Sequence, residues 1–176
     1  MSTPATPCDA DWTLQTERLL LAPMVEADSE ALFELLKDPE IHAFTGSRPP
    51  GSADDVKAKI RRRESRRSPG GDELWLNWTL RLKSDQAVVG YVQAGVKARG
   101  ADMAWVIGVP FQRQGFASEA SQRVLPWLCD DLRVNELRAN IHPNHIASIG
   151  VARRLGLSRS GETTDDGEDV WRASLR

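Results

Sequence analysis

From Leu74 to Val109 the chain carries three strand-like runs separated by turns too short to hold a helix, and this pattern most constrains its fold. Leu74 to Leu82 alternates with aromatic weight, Lys83-Ser84-Asp85 turns, Ala87 to Val96 forms a second arm, and Met103 to Val109 follows a loop at Arg99-Gly100. Turns of this length join antiparallel neighbours, whereas parallel strands need a crossover of about a dozen residues or more. The middle of the chain is therefore expected to be an antiparallel meander. At Phe116 the period becomes helical: Ala117, Ala120, Val124, Leu125 and Leu128 fall on one side up to about Leu132, with Pro126 expected to kink the helix.

Flanking elements follow from the same patterns. Thr16 to Pro23 reads as a strand closed by its proline, and Glu26 to Asp38 as a short helix with Ala31, Leu32, Leu35 and Leu36 on one face. Ser52 followed by Asp54 and Asp55 opens a second helix, expected to run to Arg67 before Pro69-Gly70-Gly71 breaks it. Glu136 to Ile141 reads as a strand, Ala147 to Leu155 as a helix stopped by Gly156, and Val170 to Leu175 as a last strand. The order is strand, two helices, three strands, helix, strand, helix, strand. With no repeat or dividing linker, residues 14–176 read as one domain and residues 1–13, with Pro4 and Pro7, as a flexible tail.

A chain of 176 residues buries roughly 70% of the surface its unfolded form exposes, enough for a core without disulfide or metal support. Its net charge of -2 argues against a generic nucleic-acid binder, whose affinity rests on clustered cations. No apolar run is long enough to span a bilayer, and Met1 to Ala10 lacks the basic start and apolar stretch of a signal peptide. The expectation is a cytoplasmic protein that binds neither membrane nor nucleic acid. Cys8 and Cys129 have no histidine at ligand spacing, so no metal site is expected, and Cys129 reads as a buried inert thiol.

The charge is unevenly spread. Seven of the 23 basic residues lie between Lys57 and Arg67, which reads either as a solvated helix face or as a rim attracting an anionic ligand or substrate. Asp165, Asp166, Glu168 and Asp169 read as an exposed acidic turn or as an attractor for a cationic amine.

Chemistry concentrates in Val106 to Ala120, a strand, a tight turn and a helix start. Gly115 permits any φ and Ala117 is small, so N–H groups between Gln112 and Ser118 can converge at the positive end of the helix, a place for a phosphate or pyrophosphate. No Gly-Lys-Ser/Thr follows, and the Gly-x-Gly-x-x-Gly spacing is absent, so this is neither a Walker loop nor a dinucleotide fingerprint. Gln112-Arg113-Gln114-Gly115-Phe116-Ala117 instead resembles the acetyl-CoA loop of the GNAT family of N-acetyltransferases, Gln/Arg-x-x-Gly-x-Gly/Ala. Ser118-Glu119-Ala120 and the opening Thr16-Glu17-Arg18-Leu19-Leu20-Leu21 continue the likeness, toward the branch resembling ribosomal-protein N-terminal acetyltransferases. Ile141 to Leu157 is similar to the family segment in which an Asn contacts the cofactor arm and the next helix ends in Leu-Gly-Phe.

The resemblance implies an α/β (α+β) GNAT fold: a mixed, mostly antiparallel twisted sheet of about six or seven strands with four helices, its central strands splayed around acetyl-CoA. It implies an acyltransferase that moves acetyl directly to a primary amine, on a protein N-terminus or a small molecule. A non-catalytic acyl-CoA sensor of the same fold is the alternative. Backbone near Ile107, Gly108 and Val109 would hold the pantetheine and polarise the thioester, and Gln112, Arg113, Gln114, Gly115, Phe116, Ala117 and Ser118 would cradle the pyrophosphate. When Ser148 is aligned with the family's serine, His145 takes the usual Asn position and Asn144 is displaced by one, so both are candidates for the cofactor arm. Ser148 is the candidate acid for the departing thiolate and Glu73 the candidate base. Position 157 is Leu rather than the family's frequent tyrosine, and Tyr91 is the one tyrosine. Dimerisation, common among such proteins, is a further expectation of the resemblance.

Overall fold

The computed structural model describes residues 12–175. Strands β1 (Leu14–Gln15), β2 (Leu19–Pro23), β3 (Leu74–Leu82), β4 (Val88–Lys97), β5 (Gly100–Ile107), β6 (Glu136–Ile141), β7 (Ser158–Thr163) and β8 (Asp169–Ser174) form one sheet in the order β1-β2-β3-β4-β5-β6-β8-β7. Four α-helices cover it: α1 (Ser29–Leu36), α2 (Ala53–Arg61), α3 (Phe116–Leu132) and α4 (Ile146–Arg154). The meander is as expected, with β3 to β5 antiparallel, Leu76 opposite Ala94 and Val92 opposite Trp105, and with one shift of the β3–β4 register between Leu80 and Arg81. β5 and β6 are the parallel neighbours. Among the described residues no helix is long and apolar enough to cross a membrane.

Period two sorts the sheet into two faces. Leu74, Leu76, Trp78 and Leu80 are fully buried and join α3 and α4 in the main core. On the other face a smaller cluster of Leu32, Val56, Ile60 and Val88 seats α1 and α2. The start of α1 is pinned by buried Asp28, which accepts from the Thr79 hydroxyl at 2.7 Å and the Val25 N–H at 3.0 Å and pairs with Arg81. A buried carboxylate needs that full set of partners.

Several expectations change. Trp12, read as tail, is 1% exposed and packs edge-on to Trp78 at 5.1 Å, its carbonyl accepting from Trp78 Nε1 at 2.8 Å. Cys8 lies outside the described residues, and Cys129 is half-buried, its thiol pushed up by burial. Helix α2 stops at Arg61 instead of Arg67, because after Ile60 no apolar residue follows until Leu74 to hold another turn against the sheet. Arg67 then bridges to Leu74 as an extension of the sheet. Helix α3 continues through Pro126 to Leu132, and the carbonyl that Pro126 deprives of a partner, that of Gln122, belongs to an exposed residue that water can satisfy.

The sheet has eight strands because β1 and β7 join its edges. Ser158 to Thr163 is exposed along its whole length and carries no alternation of apolar residues. It is a strand by virtue of its hairpin with β8 across Thr164–Gly167.

Candidate active site

The turn after β5 is made by backbone conformation. Arg113 and Gly115 adopt φ values of 61° and 85°, the left-handed region, and the Gln112 side-chain amide closes the turn by donating to the Ile107 carbonyl at 3.0 Å. Glu119 N–H bonds to the Gly115 carbonyl at 3.0 Å, as the first rung of α3. The N–H groups of Phe116, Ala117 and Ser118 are left without helical carbonyls at the positive end of the dipole. An anion would be held there by backbone donors. Arg154, at the end of α4, adds a guanidinium 3.5 Å from the Ser118 hydroxyl.

Arg18 braces this turn. Its guanidinium donates to the Gln114 carbonyl at 3.0 Å and to Glu119 Oε2 at 2.7 Å, and lies 4.4 Å from the Phe116 ring centre. Glu119 also accepts from the Thr16 hydroxyl and the Arg18 N–H. Burial alone would raise its pKa, but these bonds outweigh it and hold the carboxyl below the usual range. Glu119 is therefore an anchor and not a spare base. Both ends of this brace belong to segments that carry the family likeness, yet nothing in their spacing shows that they touch.

β5 and β6 part beside this turn. They pair only at Gly100/Glu136, Ala101/Leu137 and Asp102/Arg138, after which β5 stays with β4 and β6 stays with β8. A cavity of about 390 Å³ occupies the wedge, walled by Trp105 and Val106 on one side and by Ala139 to Ile141 on the other. Ser148 and His145 stand at its margin from the start of α4. Trp105 Nε1 donates to Ser148 Oγ at 3.2 Å, so the serine uses a lone pair there and keeps its proton to donate elsewhere.

Of the expected cofactor-arm residues, His145 lines the wedge, whereas Asn144 is exposed on the preceding turn and does not line it. Gly108 N–H already donates to the Val89 carbonyl at 2.9 Å, which removes it from the donors available to a pantetheine. Glu73 lines neither the wedge nor the chamber between α1 and α2; its carboxylate sits over Gly95, the register partner of Asp102, and its charge helps push the Asp102 pKa up.

Asp102, not singled out from sequence, joins Glu168 and the histidines in lining this cavity. Its side chain is 62% exposed and lies 3.7 Å from Arg138; what burial it has pushes its pKa up, with Arg138 opposing. Glu168, at the end of the β7–β8 turn, is pushed up by burial and by Asp166, with His142 opposing. All three histidines line this cavity. His145 stacks on Phe44 at 4.6 Å, and burial followed by the nearby His142 pushes its pKa down, favouring neutral imidazole. His142 Nδ1 accepts the Asn144 N–H at 3.2 Å, placing the neutral ring's proton on Nε2. His42 donates from Nε2 to the Leu36 carbonyl at 2.7 Å and faces Ser47 Oγ with Nδ1 at 2.8 Å.

A second cavity, of about 650 Å³, lies between α1, α2 and the sheet, and meets the wedge at Leu36, His42, Ser47, Tyr91 and Gln93. Met24, Leu32, Val56 and Ile60 give it an apolar floor. Tyr91 belongs to both cavities, its phenol pushed up by burial with Arg63 opposing. Its place in the β3–β4 hairpin was legible, but its position between the two chambers was not.

Relatives have the same shape and similar sequence. Over 153 residues the chain is 24% identical to an uncharacterized N-acetyltransferase, YnaD, of Bacillus subtilis, covering 84% of each chain. The crystallised ribosomal L7/L12 alpha-N-protein acetyltransferase RimL, in complex with coenzyme A, superposes with a TM-score of 0.77 at 14% identity, covering 91% of this chain and 96% of the other. Spermidine N-acetyltransferase from Vibrio cholerae, in complex with CoA and spermine, gives 0.73 at 15% identity, covering 89% and 94%. The sequence profile of the acetyltransferase (GNAT) domain matches residues 18–158, most of the sheet and all four helices. With that match and this wedge-and-turn geometry, the chain belongs to the GNAT acetyltransferase family.

Proposed function

We propose that the domain spanning residues 14–176 moves an acetyl group from acetyl-CoA directly to a primary amine, of a protein N-terminus or a small molecule. The observation that carries this reading is the open wedge between β5 and β6 beside the unsatisfied N–H groups at the start of α3. The donor set suits a phosphate-bearing thioester: backbone N–H groups and Arg154 for the phosphates, and a narrow slot for an extended arm. Acetyl-CoA supplies an activated acyl carbon and a thiolate leaving group. The residues around the wedge do the rest. The cleft holds the amine in line with the acyl carbon, which supplies much of the acceleration. Asp102 and Glu168, whose pKa values burial pushes up, are suited to take the proton of the incoming ammonium directly or through water. The C–N bond forms as the C–S bond breaks, and Ser148, its hydroxyl proton uncommitted, gives a proton to the departing sulfur while its oxygen recovers the one that the new amide nitrogen sheds.

The test is release of thiol from acetyl-CoA with a panel of primary amines. Acceptor-dependent release is expected. Tight acetyl-CoA binding with no release on any amine would instead identify an acyl-CoA sensor.

A further inference from the structure

Resting on that N-acetyltransferase reading, we propose that the chamber under α1 and α2 selects an acceptor that carries a carboxylate or phosphate at the far end from its amine, held at the mouth by Arg62 and Arg63. The basic cluster from Lys57 to Arg67 divides between two faces. Lys57 and Arg61 turn outward to Glu26, at 3.7 and 2.8 Å, and Arg61 chiefly holds the Glu26 carboxyl at about 2. Lys59, Arg62, Arg63 and Arg66 line the chamber, and Arg48 faces them from the loop before α2. Glu64 is the one acidic side chain lining the chamber among the described residues, and it lies against Glu26. No carboxylate among the described residues pairs with Lys59, Arg62, Arg63 or Arg48.

The far end has the opposite character. Asp102 and Glu168 line the wedge, where the amine must arrive, and the chamber with the cationic side chains joins it at Leu36, His42, Ser47, Tyr91 and Gln93. An acceptor with an ammonium at one end and an anion at the other is therefore oriented amine-first, whereas a polyamine meets like charge at the entrance. The chamber of about 650 Å³ holds more than a single small amino acid, and its floor of Met24, Leu32, Val56 and Ile60 suits an apolar body. A free amino acid of extended shape and a peptide N-terminus followed by an acidic residue present the same chemistry.

Two matched pairs test this: para-(aminomethyl)benzoate against para-xylylenediamine, and the peptide amides Ala-Leu-Glu against Ala-Leu-Lys. At low ionic strength the anionic member of at least one pair should show kcat/KM about tenfold higher, a difference that salt erodes. The pair that shows it tells a small-molecule acceptor from a peptide one. In the double variant Arg62→Gln, Arg63→Gln the preference should collapse through KM, with kcat for the anionic acceptor close to wild type. Lys57→Gln with Arg61→Gln, which removes the same charge from the outward face, should keep the preference; thermal melts of both variants confirm that each is folded. Equal kcat/KM within both pairs, a preference that survives the Arg62/Arg63 change, or an equal loss from the outward-face variant each overturns the inference while leaving acetyl transfer standing. No thiol release with any member, with acetyl-CoA bound, overturns both readings.

Discussion

The turn that we propose holds the acetyl donor and the chamber that we propose takes the acceptor are built by different means. The turn from Gln112 to Ser118 uses backbone: two left-handed residues and a run of N–H groups at a helix start, all within one short stretch of chain. The chamber opposite uses side chains gathered from distant segments: His42 after α1, Arg62 and Arg63 after α2, Tyr91 on β4 and Glu168 beside β8. A site made of backbone tolerates many side chains provided the local conformation is kept. One made of converging side chains can change its ligand with single substitutions, which is how one fold serves different acceptors.

Substitutions at four positions probe that contrast, the largest effect first. Ser148→Ala should lower kcat about a hundredfold or more while leaving the acetyl-CoA dissociation constant near its wild-type value. A normal turnover would reduce Ser148 to a packing partner of Trp105. Gly90→Ala probes the seam between the two sides. An added Cβ would lie 2.0 Å from the Val106 carbonyl, so β4 and β5 must part there, at a cost of about 1–3 kcal/mol read by denaturant unfolding.

Gly115→Val tests the backbone character of the donor side. Space is not limiting, since the nearest atom to an added Cβ is Arg18 Nη2 at 3.6 Å. The left-handed conformation costs a side chain about 1–2 kcal/mol, so acetyl-CoA affinity should fall roughly five- to thirtyfold by calorimetry. Gly115→Asn, which tolerates that conformation, should retain most of it.

The smallest effect belongs to the shared margin. His145 has a folded-state pKa below its ordinary 6.5, so its contribution to stability is present above that value and is lost as pH falls through the lowered one. Melting points measured from about pH 8 down to about pH 5.5 should therefore drop more steeply in wild type than in His145→Gln. Parallel curves would remove His145 as a source of acid sensitivity.

Much of the frame was legible because it depends on neighbours in sequence. The meander followed from alternation and short turns, α3 from the change of period at Phe116, and the tight turn before it from Gly115 and its surroundings. Errors arose where packing overrode local pattern. Trp12 looked like tail until Trp78 and Trp127 were seen around it. β7 has no apolar alternation and exists because β8 offers an edge. Glu73 looked close to the chemistry by its place in the hairpin, but the carboxylates that reach the wedge are Asp102 and Glu168.

The sequence by itself determined the strand meander, the helix that follows it and the tight turn between them, because steric rules and hydrogen-bond periodicity act over a few residues. Only the tertiary structure decided which charges meet: that Arg18 and Glu119 brace the turn, that Lys57 and Arg61 face outward while Arg62 and Arg63 face the chamber, and that Tyr91 stands where the chambers join. Coulombic and packing interactions depend on distance through space, and that distance exists only once the sheet has closed its long-range pairings.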